Sequence, residues 1–340
     1  MRAALKTAYL AARLPVLRLA GLMKKRRTFD PAMVSKILLI RTDRLGDMVL
    51  TTPFIAALKE AFPKAALTML AAKGPLRLVR FNPAIAETVE WYESARDTLL
   101  ERLRAERFDL AIDLHYDYPL ATARLCADVR AGISCGFDIA GRGCYFDLPV
   151  AAQGKKHFTQ ELWDILSALE INVPMKKPAI YFDGAVKNAA ADFISLAGLG
   201  GRPYAVIHPG GHYPSQRWPA ERFAGIADFL EKDKGLPTLA VGGPDETELL
   251  RTAAPNRPSY FGGDPLMTAA LISGATLFVG NNSGPLHMAC ALSVPSASTM
   301  GPTDPVRFAP MGERCAVASG NPLSLVTEED MRKAVREVLG

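Results

Sequence analysis

The segment Lys36-Ile37-Leu38-Leu39-Ile40-Arg41-Thr42-Asp43-Arg44-Leu45-Gly46-Asp47 decides the fold. The apolar run that follows Lys36 is typical of a strand buried on both faces of a parallel sheet. The polar residues 41–44 predict a loop, and Gly46 and Asp47 open a helix predicted over about 47–62. A strand that passes through a polar loop directly into a helix is the repeating unit of a parallel α/β sheet.

The same alternation of apolar runs and amphipathic segments continues along the chain and predicts further elements. We predict strands at 36–40, 67–70, 88–91, 110–114, 204–208, 238–241, 276–279 and 294–300. Helices are predicted near 75–80 and at 97–107, 157–169, 184–197, 219–232, 265–273, 284–292 and 328–338. The sequence therefore predicts two Rossmann-like, doubly wound domains that face each other across a cleft.

Four regions are predicted from these elements and from a linker with two prolines and two lysines at 172–178. Residues 1–34 form a basic amphipathic N-terminal extension, and 35–175 form an N-terminal domain. Residues 176–326 form a C-terminal domain, and a C-terminal helix occupies 327–340, where Thr327 can cap the helix with Asp330 three residues later.

The distribution of charge excludes a general nucleic-acid binder. The chain has 340 residues with 40 Lys and Arg against 35 Asp and Glu, but eight of the cations and no acid lie in 1–27. The remainder is therefore slightly acidic, whereas a nucleic-acid binder spreads positive charge over a folded face. Five cysteines without a C-x-x-C pair indicate a reducing compartment, and we expect a cytoplasmic protein.

Residues 1–27 alternate leucines with basic side chains, and two interpretations are open. Arg13 and Arg18 interrupt any run long enough to span a membrane, and Pro15 is expected to kink a helix here. An interfacial helix would place the leucines among lipid headgroups and the cations against anionic lipid. The alternative is a disordered basic extension. The first interpretation predicts a peripheral protein at the inner face of the cytoplasmic membrane.

Chemistry-bearing residues stand at the ends of the predicted strands, where parallel sheets bind ligands. Asp47 is either a helix cap or a general base for a sugar hydroxyl. The glycine-rich segment 208–219 is either a plain turn or an anion-binding loop, in which Arg217 could neutralise a phosphate. Segment 242–246 is either a capped turn or a site where a carboxylate binds ribose hydroxyls.

The uncharged stretch 265–303 is predicted to be buried core, because a polar turn interrupts it at 281–285. Ser283 and Gly284 at a helix N-terminus form an anion site, and Asn282 can bind sugar hydroxyls. His287 is either a structural residue or a ligand contact. Segment 301–305 can close the same pocket. No Asp-x-Asp motif, nucleotide P-loop or zinc-protease motif occurs, so a leaving phosphate would be stabilised by helix N-termini and arginine.

These motifs occur in the order found in glycosyltransferase family 9, the heptosyltransferase-type enzymes of lipopolysaccharide synthesis. The chain resembles that family from about residue 35 to 312, through R-x-D-x-L-G-D, H-P-G with R-W-P, G-G-P-D-E, N-x-S-G-x-x-H and G-P-T-D-P. The resemblance implies a GT-B fold, an acceptor-binding first domain and a donor-binding second domain. It also implies an inverting, metal-independent transfer from a nucleotide sugar, often ADP-heptose, with no cofactor.

The resemblance carries specific roles to residues of this chain. Asp47 becomes the catalytic base, and Arg41, Arg44 and Lys73 become acceptor-side residues. The predicted donor contacts are His208, Gly210, Gly211, Gln216, Arg217, Asp245, Glu246, Asn282, Ser283, Gly284, His287 and Thr303. Many members have Lys where this chain has Gln216, and Asp where it has Asn282, so both changes fall where donor identity is read.

The sequence therefore predicts a transferase that moves heptose from ADP-heptose to a lipid-linked surface glycan, without a metal site. Two other functions stay open. A nucleotide-sugar epimerase or hydrolase of the same fold needs no acceptor. A non-catalytic sugar-nucleotide-binding protein would bind the donor without turnover, and the changes at Gln216 and Asn282 are compatible with it.

Overall fold

The chain divides into two compact units, each built on one sheet. The computed structural model describes residues 2–24 and 27–340, with side chains from residue 9 onward. The first unit comprises Met1–Asp43, Pro53–Leu76 and Asn82–Lys176, and the second comprises Arg44–Thr52, Arg77–Phe81 and Lys177–Gly340. The segment that begins with Arg44 and contains Asp47 therefore belongs to the second unit.

The first unit contains a six-stranded parallel sheet in the order β3-β2-β1-β4-β5-β6. Its strands are Lys36–Arg41 (β1), Ala66–Ala71 (β2), Glu87–Glu90 (β3), Leu110–Asp113 (β4), Ile133–Asp138 (β5) and Leu148–Ala151 (β6). Its helices are Arg2–Met23 (α1), Leu45–Ala61 (α2, which starts in the second unit), Lys73–Leu78 (α3, which ends in the second unit), Arg96–Ala105 (α4), Ala121–Asp128 (α5) and Phe158–Ala168 (α6). The strand order reverses between β1 and β4, which is where this fold class binds ligands.

The second unit has its own six-stranded sheet, in the order β12-β11-β10-β7-β8-β9, and this sheet is also parallel throughout. Read from the β9 edge, its strands follow the same order as those of the first sheet. Its strands are Ala205–His208 (β7), Thr238–Val241 (β8), Ser259–Tyr260 (β9), Leu277–Asn281 (β10), Ser296–Met300 (β11) and Cys315–Ser319 (β12). Its helices are Gly184–Leu196 (α7), Ala220–Lys234 (α8), Thr247–Ala253 (α9), Pro265–Ser273 (α10), Gly284–Ala291 (α11) and Glu328–Leu339 (α12).

The core of the second unit lies on both faces of its sheet. Ile207 and Val279 face one cluster with residues of α8 and α12, whereas Val206 and Phe278 face another with residues of α10 and α11. Successive strand residues point to opposite faces, so a strand covered on both sides must be apolar throughout. This explains why the apolar runs at 204–208 and 276–279 identify central strands.

The predicted elements of the sheet centres are confirmed, with boundaries shifted by a few residues. Helix α12 begins as expected, because Thr327 Oγ1 accepts from Asp330 N at 3.1 Å and Asp330 Oδ2 accepts from Thr327 N at 2.8 Å. Six elements have no counterpart in the sequence prediction: α5, β5, β6, α9, β9 and β12. Most of the strands that the sequence does not predict are edge strands, such as β9 and β12. Neighbouring residues cover part of these strands, so the strands themselves need no continuous apolar run.

Helix α1 packs against the first unit, in the region that the sequence predicts as an extension. Leu17 Cβ lies 2.9 Å from the position that a Cβ of Gly141 would occupy, and Lys24 Nζ donates to Tyr145 O at 2.8 Å. Within residues 2–24 and 27–340, no helix is both long and apolar enough to cross a membrane. The cations Lys25 and Arg26 lie outside the described residues.

Candidate active site

Two helix N-termini meet in the second unit. A Cβ placed on Gly46, in the first turn of α2, would lie 3.3 Å from Gly284 Cα and 3.1 Å from His287 Cδ2. Gly284 is the first residue of α11, and Ser283 is its N-cap with extended backbone. A side chain at position 46 would make unusually tight contacts with both residues, and glycine avoids them. The L-G-D and N-x-S-G-x-x-H motifs are therefore in contact within one unit, although about 240 residues separate them in sequence.

Asp47 stands beside this contact. It lies in the first turn of α2, is almost fully buried, and its Oδ2 accepts from Arg44 Nε at 2.9 Å. Thr51 Oγ1 donates to Asp47 O at 2.7 Å and so is bonded to the helix backbone. A carboxylate in the first helical turn benefits from the positive end of the helix dipole. Asp47 therefore combines a stabilised position with proximity to the start of α11.

His208, Glu246 and Ser283 form the polar group at the carboxyl end of the second sheet. His208 ends β7, with Nδ1 3.2 Å from Ser283 Oγ and Nε2 3.7 Å from Glu246 Oε2. Burial raises the pKa of Glu246, but His208 and the backbone N–H groups of Gly243 and Gly211 outweigh that effect and lower it to about 2. At neutral pH, Glu246 is therefore an ionised carboxylate that can accept hydrogen bonds at this end of the sheet.

Gly210 leaves the space that the Glu246 carboxylate occupies. A Cβ on Gly210 would lie 2.1 Å from Glu246 Oε1, a separation that no side chain can adopt. Gly243 N donates to Glu246 Oε2 at 2.9 Å and fixes the carboxylate from the other side. Of the two predicted acids in this turn, Glu246 joins the network, whereas Asp245 is exposed.

The loop that follows His208 is held by Asn281, the first residue of the N-x-S-G-x-x-H motif, to which the sequence assigned no role of its own. The Asn281 amide donates to Pro209 O at 2.8 Å and to Gly210 O at 3.0 Å. Its Oδ1 accepts from Trp218 N at 3.0 Å and from Thr299 Oγ1 at 2.8 Å. Because the side chain is fully buried and all four of its hydrogen bonds are made, it fixes both ends of the 209–218 loop.

The two departures from the family pattern, Gln216 and Asn282, both bind the segment that follows β11. Gln216 Nε2 donates to Thr303 Oγ1 at 3.1 Å. Asn282 Nδ2 donates to Phe308 O at 2.9 Å and contacts Met300 Sδ at the same distance. A carboxylate at position 282 could not donate to the carbonyl of Phe308. The asparagine is therefore explained by the loop that it holds.

Arg217 and the predicted acceptor-side residues have different surroundings. Arg217 Nε donates to Gly211 O at 2.8 Å, which leaves the other guanidinium nitrogens for an anion. Arg41 is buried in the first unit, where Nε lies 2.8 Å from Asp43 Oδ1 and the guanidinium covers the Phe158 ring at 4.7 Å. Arg44 pairs with Asp47 in the second unit, and Lys73 is exposed on the first.

A buried ionic cluster that the sequence analysis also missed lies at the carboxyl end of the first sheet. Asp113 Oδ1 lies 2.7 Å from His115 Nδ1, and Asp113 Oδ2 pairs with the fully buried Arg142. Burial raises the pKa of Asp113, but His115 and Arg142 outweigh that effect and hold it below its usual range. Thr42 N donates to His115 Nε2 at 3.2 Å, so the cluster also holds the loop that leads to Asp47.

The sequence signal for this cluster is Asp113-Leu114-His115 at the end of a predicted strand. Arg142 gives no comparable signal, because its partners lie 20 to 29 residues earlier in the chain. It also precedes β6, which the sequence does not predict. Arg142 NH1 additionally donates to the carbonyls of His115 at 3.0 Å and Asp117 at 2.8 Å.

The fold and the contact of strand-end motifs define a GT-B protein of the glycosyltransferase class. The model of glycosyltransferase family 9 (heptosyltransferase) matches residues 96–335, and the chain belongs to that family. Lipopolysaccharide heptosyltransferase 3 from Escherichia coli is 27% identical over 289 residues, which cover 78% of this chain and 83% of that protein.

Solved structures of similar proteins agree with the fold. A family 9 glycosyl transferase from Veillonella parvula DSM 2008 superposes with a TM-score of 0.79 at 23% identity, over 90% of this chain and 97% of that one. The ADP-heptose lipopolysaccharide heptosyltransferase II of E. coli gives a TM-score of 0.76 at 20% identity, over 89% and 98%. The predicted fold class and the prediction of a glycosyltransferase are confirmed.

Proposed function

We propose that this glycosyltransferase moves a heptose from ADP-heptose to a hydroxyl group of a lipopolysaccharide or related surface-glycan acceptor. The reaction inverts the anomeric centre and needs no metal ion. Similar proteins named for lipopolysaccharide and for ADP-heptose support both substrates. The observation that carries the mechanism is the contact between the first turn of α2, which bears Asp47, and the start of α11.

In the proposed reaction, the Asp47 carboxylate takes the proton from the acceptor hydroxyl. The oxygen attacks the anomeric carbon from the face opposite the nucleotide, and the bond from that carbon to the phosphate oxygen breaks. The negative charge that develops on the leaving ADP is stabilised by the N-terminus of α11 at Ser283 and Gly284 and by Arg217. Arg44 Nε, which donates to Asp47 Oδ2 at 2.9 Å, orients the carboxylate.

The donor nucleotide is proposed to lie along the second unit's sheet end. Glu246, with its pKa of about 2, accepts hydrogen bonds from the ribose hydroxyls. The backbone of Gly210 and Gly211 approaches the phosphates, and His208 holds Glu246 and Ser283 in place. Asn282 and Gln216 act through the 300–308 segment that they bind, where Thr303 closes the pocket. The remaining proposed donor contacts are His287, beside Gly46, and the exposed Asp245.

The first unit is proposed to bind the acceptor, with Arg41 and Lys73 as acceptor-side residues. Arg44, the third predicted acceptor-side residue, lies in the second unit beside Asp47. Arg41 acts through the loop that it holds, because its guanidinium is buried against Asp43 and Phe158. The domain limits of 35–175 and 176–326 remain predictions. The cations of residues 1–27 are proposed to hold the protein on the inner face of the cytoplasmic membrane, where a lipid-linked acceptor is available.

Asp47→Asn tests the proposal, because it removes the base while keeping the side chain's volume. We expect transfer from ADP-heptose to fall by about 10²–10⁴-fold, with ADP-heptose still stabilising the protein against heat. The matched control is Asp97→Asn, which changes an exposed acid in the first turn of α4 and should leave transfer unchanged.

Three results would contradict the proposal. Full transfer by the Asp47 variant would exclude Asp47 as the base. Consumption of the donor without an acceptor, at the rate seen with one, would indicate an epimerase or hydrolase. Donor binding without turnover on any lipopolysaccharide acceptor would indicate a binding protein.

A further inference from the structure

The exposed side of helix α1 is apolar, which is unusual for a helix on a protein surface. Within residues 9–24, whose side chains the structure describes, the charged residue on the exposed side is Arg18. The large apolar residues there are strongly exposed: Tyr9 56%, Val16 68%, Leu19 61%, Leu22 83% and Met23 80%. Residues 16, 19 and 23 follow the spacing of one helix face. Contiguous apolar patches of this kind mark interaction surfaces.

The opposite side of α1 is fixed to the first unit, so the exposed face has a defined orientation. Leu14 and Leu17 pack on Gly141, and a Cβ placed on Gly21 would lie 3.5 Å from Cys144 Cα. Arg13 Nε donates to Ala140 O at 3.2 Å. Three of the cations predicted to meet lipid, Arg13, Lys24 and Arg27, therefore bond to the first unit.

The turn that receives α1 is the one that carries Arg142. Residues Arg142–Tyr145 form a short 3₁₀ helix that contacts α1, while the Arg142 side chain enters the cluster with Asp113 and His115. Arg13 also binds the carbonyl of Tyr118, in the loop that follows β4. The helix is thus attached beside the carboxyl end of the first sheet, the end proposed to bind the acceptor.

We propose that the exposed face of α1, formed by Val16, Leu19, Leu22 and Met23, lies on an anionic lipid surface. The helix has 22 residues and is about 33 Å long, and because its opposite side is docked on the first unit, its axis is proposed to lie in the interface plane. Charge complementarity selects the occupant: residues 1–29 contain eight cations and no acid, and anionic headgroups attract this net positive charge, although Arg13, Lys24 and Arg27 also bond to the first unit. A second copy of the chain would bring the same cations against each other.

This inference rests on the proposed function and sharpens it. Because α1 is docked rather than free, the membrane would be held at a fixed distance from the acceptor end of the first sheet. The acceptor class that fits this geometry is a glycan anchored in the same lipid surface. A water-soluble fragment of the acceptor would not benefit from it.

The test is binding of the full chain to vesicles of phosphatidylcholine with about one third phosphatidylglycerol, measured by sedimentation. We expect the wild-type protein to bind and the triple variant Val16→Glu, Leu19→Glu, Leu22→Glu to lose roughly tenfold or more of its partitioning. Leu196→Glu is the matched control, because Leu196 is 89% exposed at the end of α7. It should bind like wild type.

A second readout locates the face directly. Tryptophan fluorescence of Leu19→Trp should shift to shorter wavelength on addition of these vesicles, and that of Leu196→Trp should not. Wild-type protein that does not sediment with the vesicles, or a triple variant that sediments equally, would overturn the inference. A concentration-dependent dimer abolished by the triple variant would also overturn it, because a second copy would then cover the face.

Transfer to a delipidated acceptor separates this inference from the proposed function. If α1 serves lipid binding alone, the triple variant should transfer to the delipidated acceptor at the wild-type rate and to vesicle-bound acceptor more slowly. Loss of both activities would contradict a role confined to the lipid surface. If the wild-type protein binds the vesicles but transfers no sugar, the result would contradict the proposed function. It would not contradict the inference that the exposed face of α1 binds lipid.

Discussion

The two sheets have the same strand order, yet their carboxyl ends are built on different chemistry. In the first unit, the strand ends carry ions that neutralise one another: Asp113 with His115 and Arg142. In the second, a neutral amide, Asn281, holds the loops, and glycines leave room for Glu246. The topology of the sheet therefore fixes where polar residues lie together. The chemistry of their side chains determines whether these polar residues stabilise the unit or face a ligand.

The largest expected effect is on the ionic cluster of the first unit. Arg142→Met leaves Asp113 buried without its cation, which should cost about 3–5 kcal/mol of unfolding free energy, because an uncompensated buried charge is strongly destabilising. Arg124→Met is the control: that arginine is exposed and 3.7 Å from Asp128, so its loss should cost about 0–1 kcal/mol. Urea unfolding measures both. Equal small losses would show that the cluster is not a stabilising device.

The same cluster predicts a dependence on pH. Because the pKa of folded Asp113 lies below its ordinary value of 3.8, the stability that its charge contributes is complete above that value. It is lost as the pH falls through the lower folded pKa. The difference between wild type and Arg142→Met should therefore be constant near neutral pH and shrink in acid. A difference that grows in acid would contradict this account.

The next prediction concerns Asn281, whose side-chain amide holds the loop at the carboxyl end of the second sheet. Asn281→Asp keeps the shape but removes both donors, so Pro209 O and Gly210 O lose their partners beside a new buried charge. We expect about 1–3 kcal/mol of destabilisation and a clear loss of nucleotide affinity, measured by unfolding and by calorimetry. Asn188→Asp, on the exposed side of α7, is the control. Unchanged nucleotide affinity would show that the 209–218 loop does not bind the donor.

The smallest effect is expected at Asn282. Asn282→Asp restores the residue common in the family but gives up the hydrogen bond to Phe308 O. We expect a cost of about 1 kcal/mol and a severalfold change in the donor's Michaelis constant. Steady-state kinetics with ADP-heptose measure it. Improved stability and unchanged kinetics would mean that the asparagine has no role in holding the 300–308 segment.

Much of this architecture could be predicted from sequence, and the failures share a cause. Central strands such as β7 and β10 are apolar on both faces, so their residues identify them locally. Edge strands such as β12 are not apolar on both faces, because neighbouring residues complete their burial. Their own residues therefore do not identify them. The strand-end rule located Asp47, His208 and Glu246. The role of Asn281, the first residue of the N-x-S-G-x-x-H motif, could not be predicted, because its partners lie up to 72 residues away in the chain.

The most direct test of the account is whether ADP stabilises the protein through Glu246. At 100 times its dissociation constant, a ligand stabilises the native state by about 2.7 kcal/mol, which a thermal melt detects. We predict that ADP raises the melting temperature of wild type and of Glu248→Gln, an exposed acid nearby, more than UDP or GDP does. Glu246→Gln should lose most of that shift. An equal shift in the Glu246 variant, or a shift with another nucleotide alone, would contradict an ADP site at this sheet end.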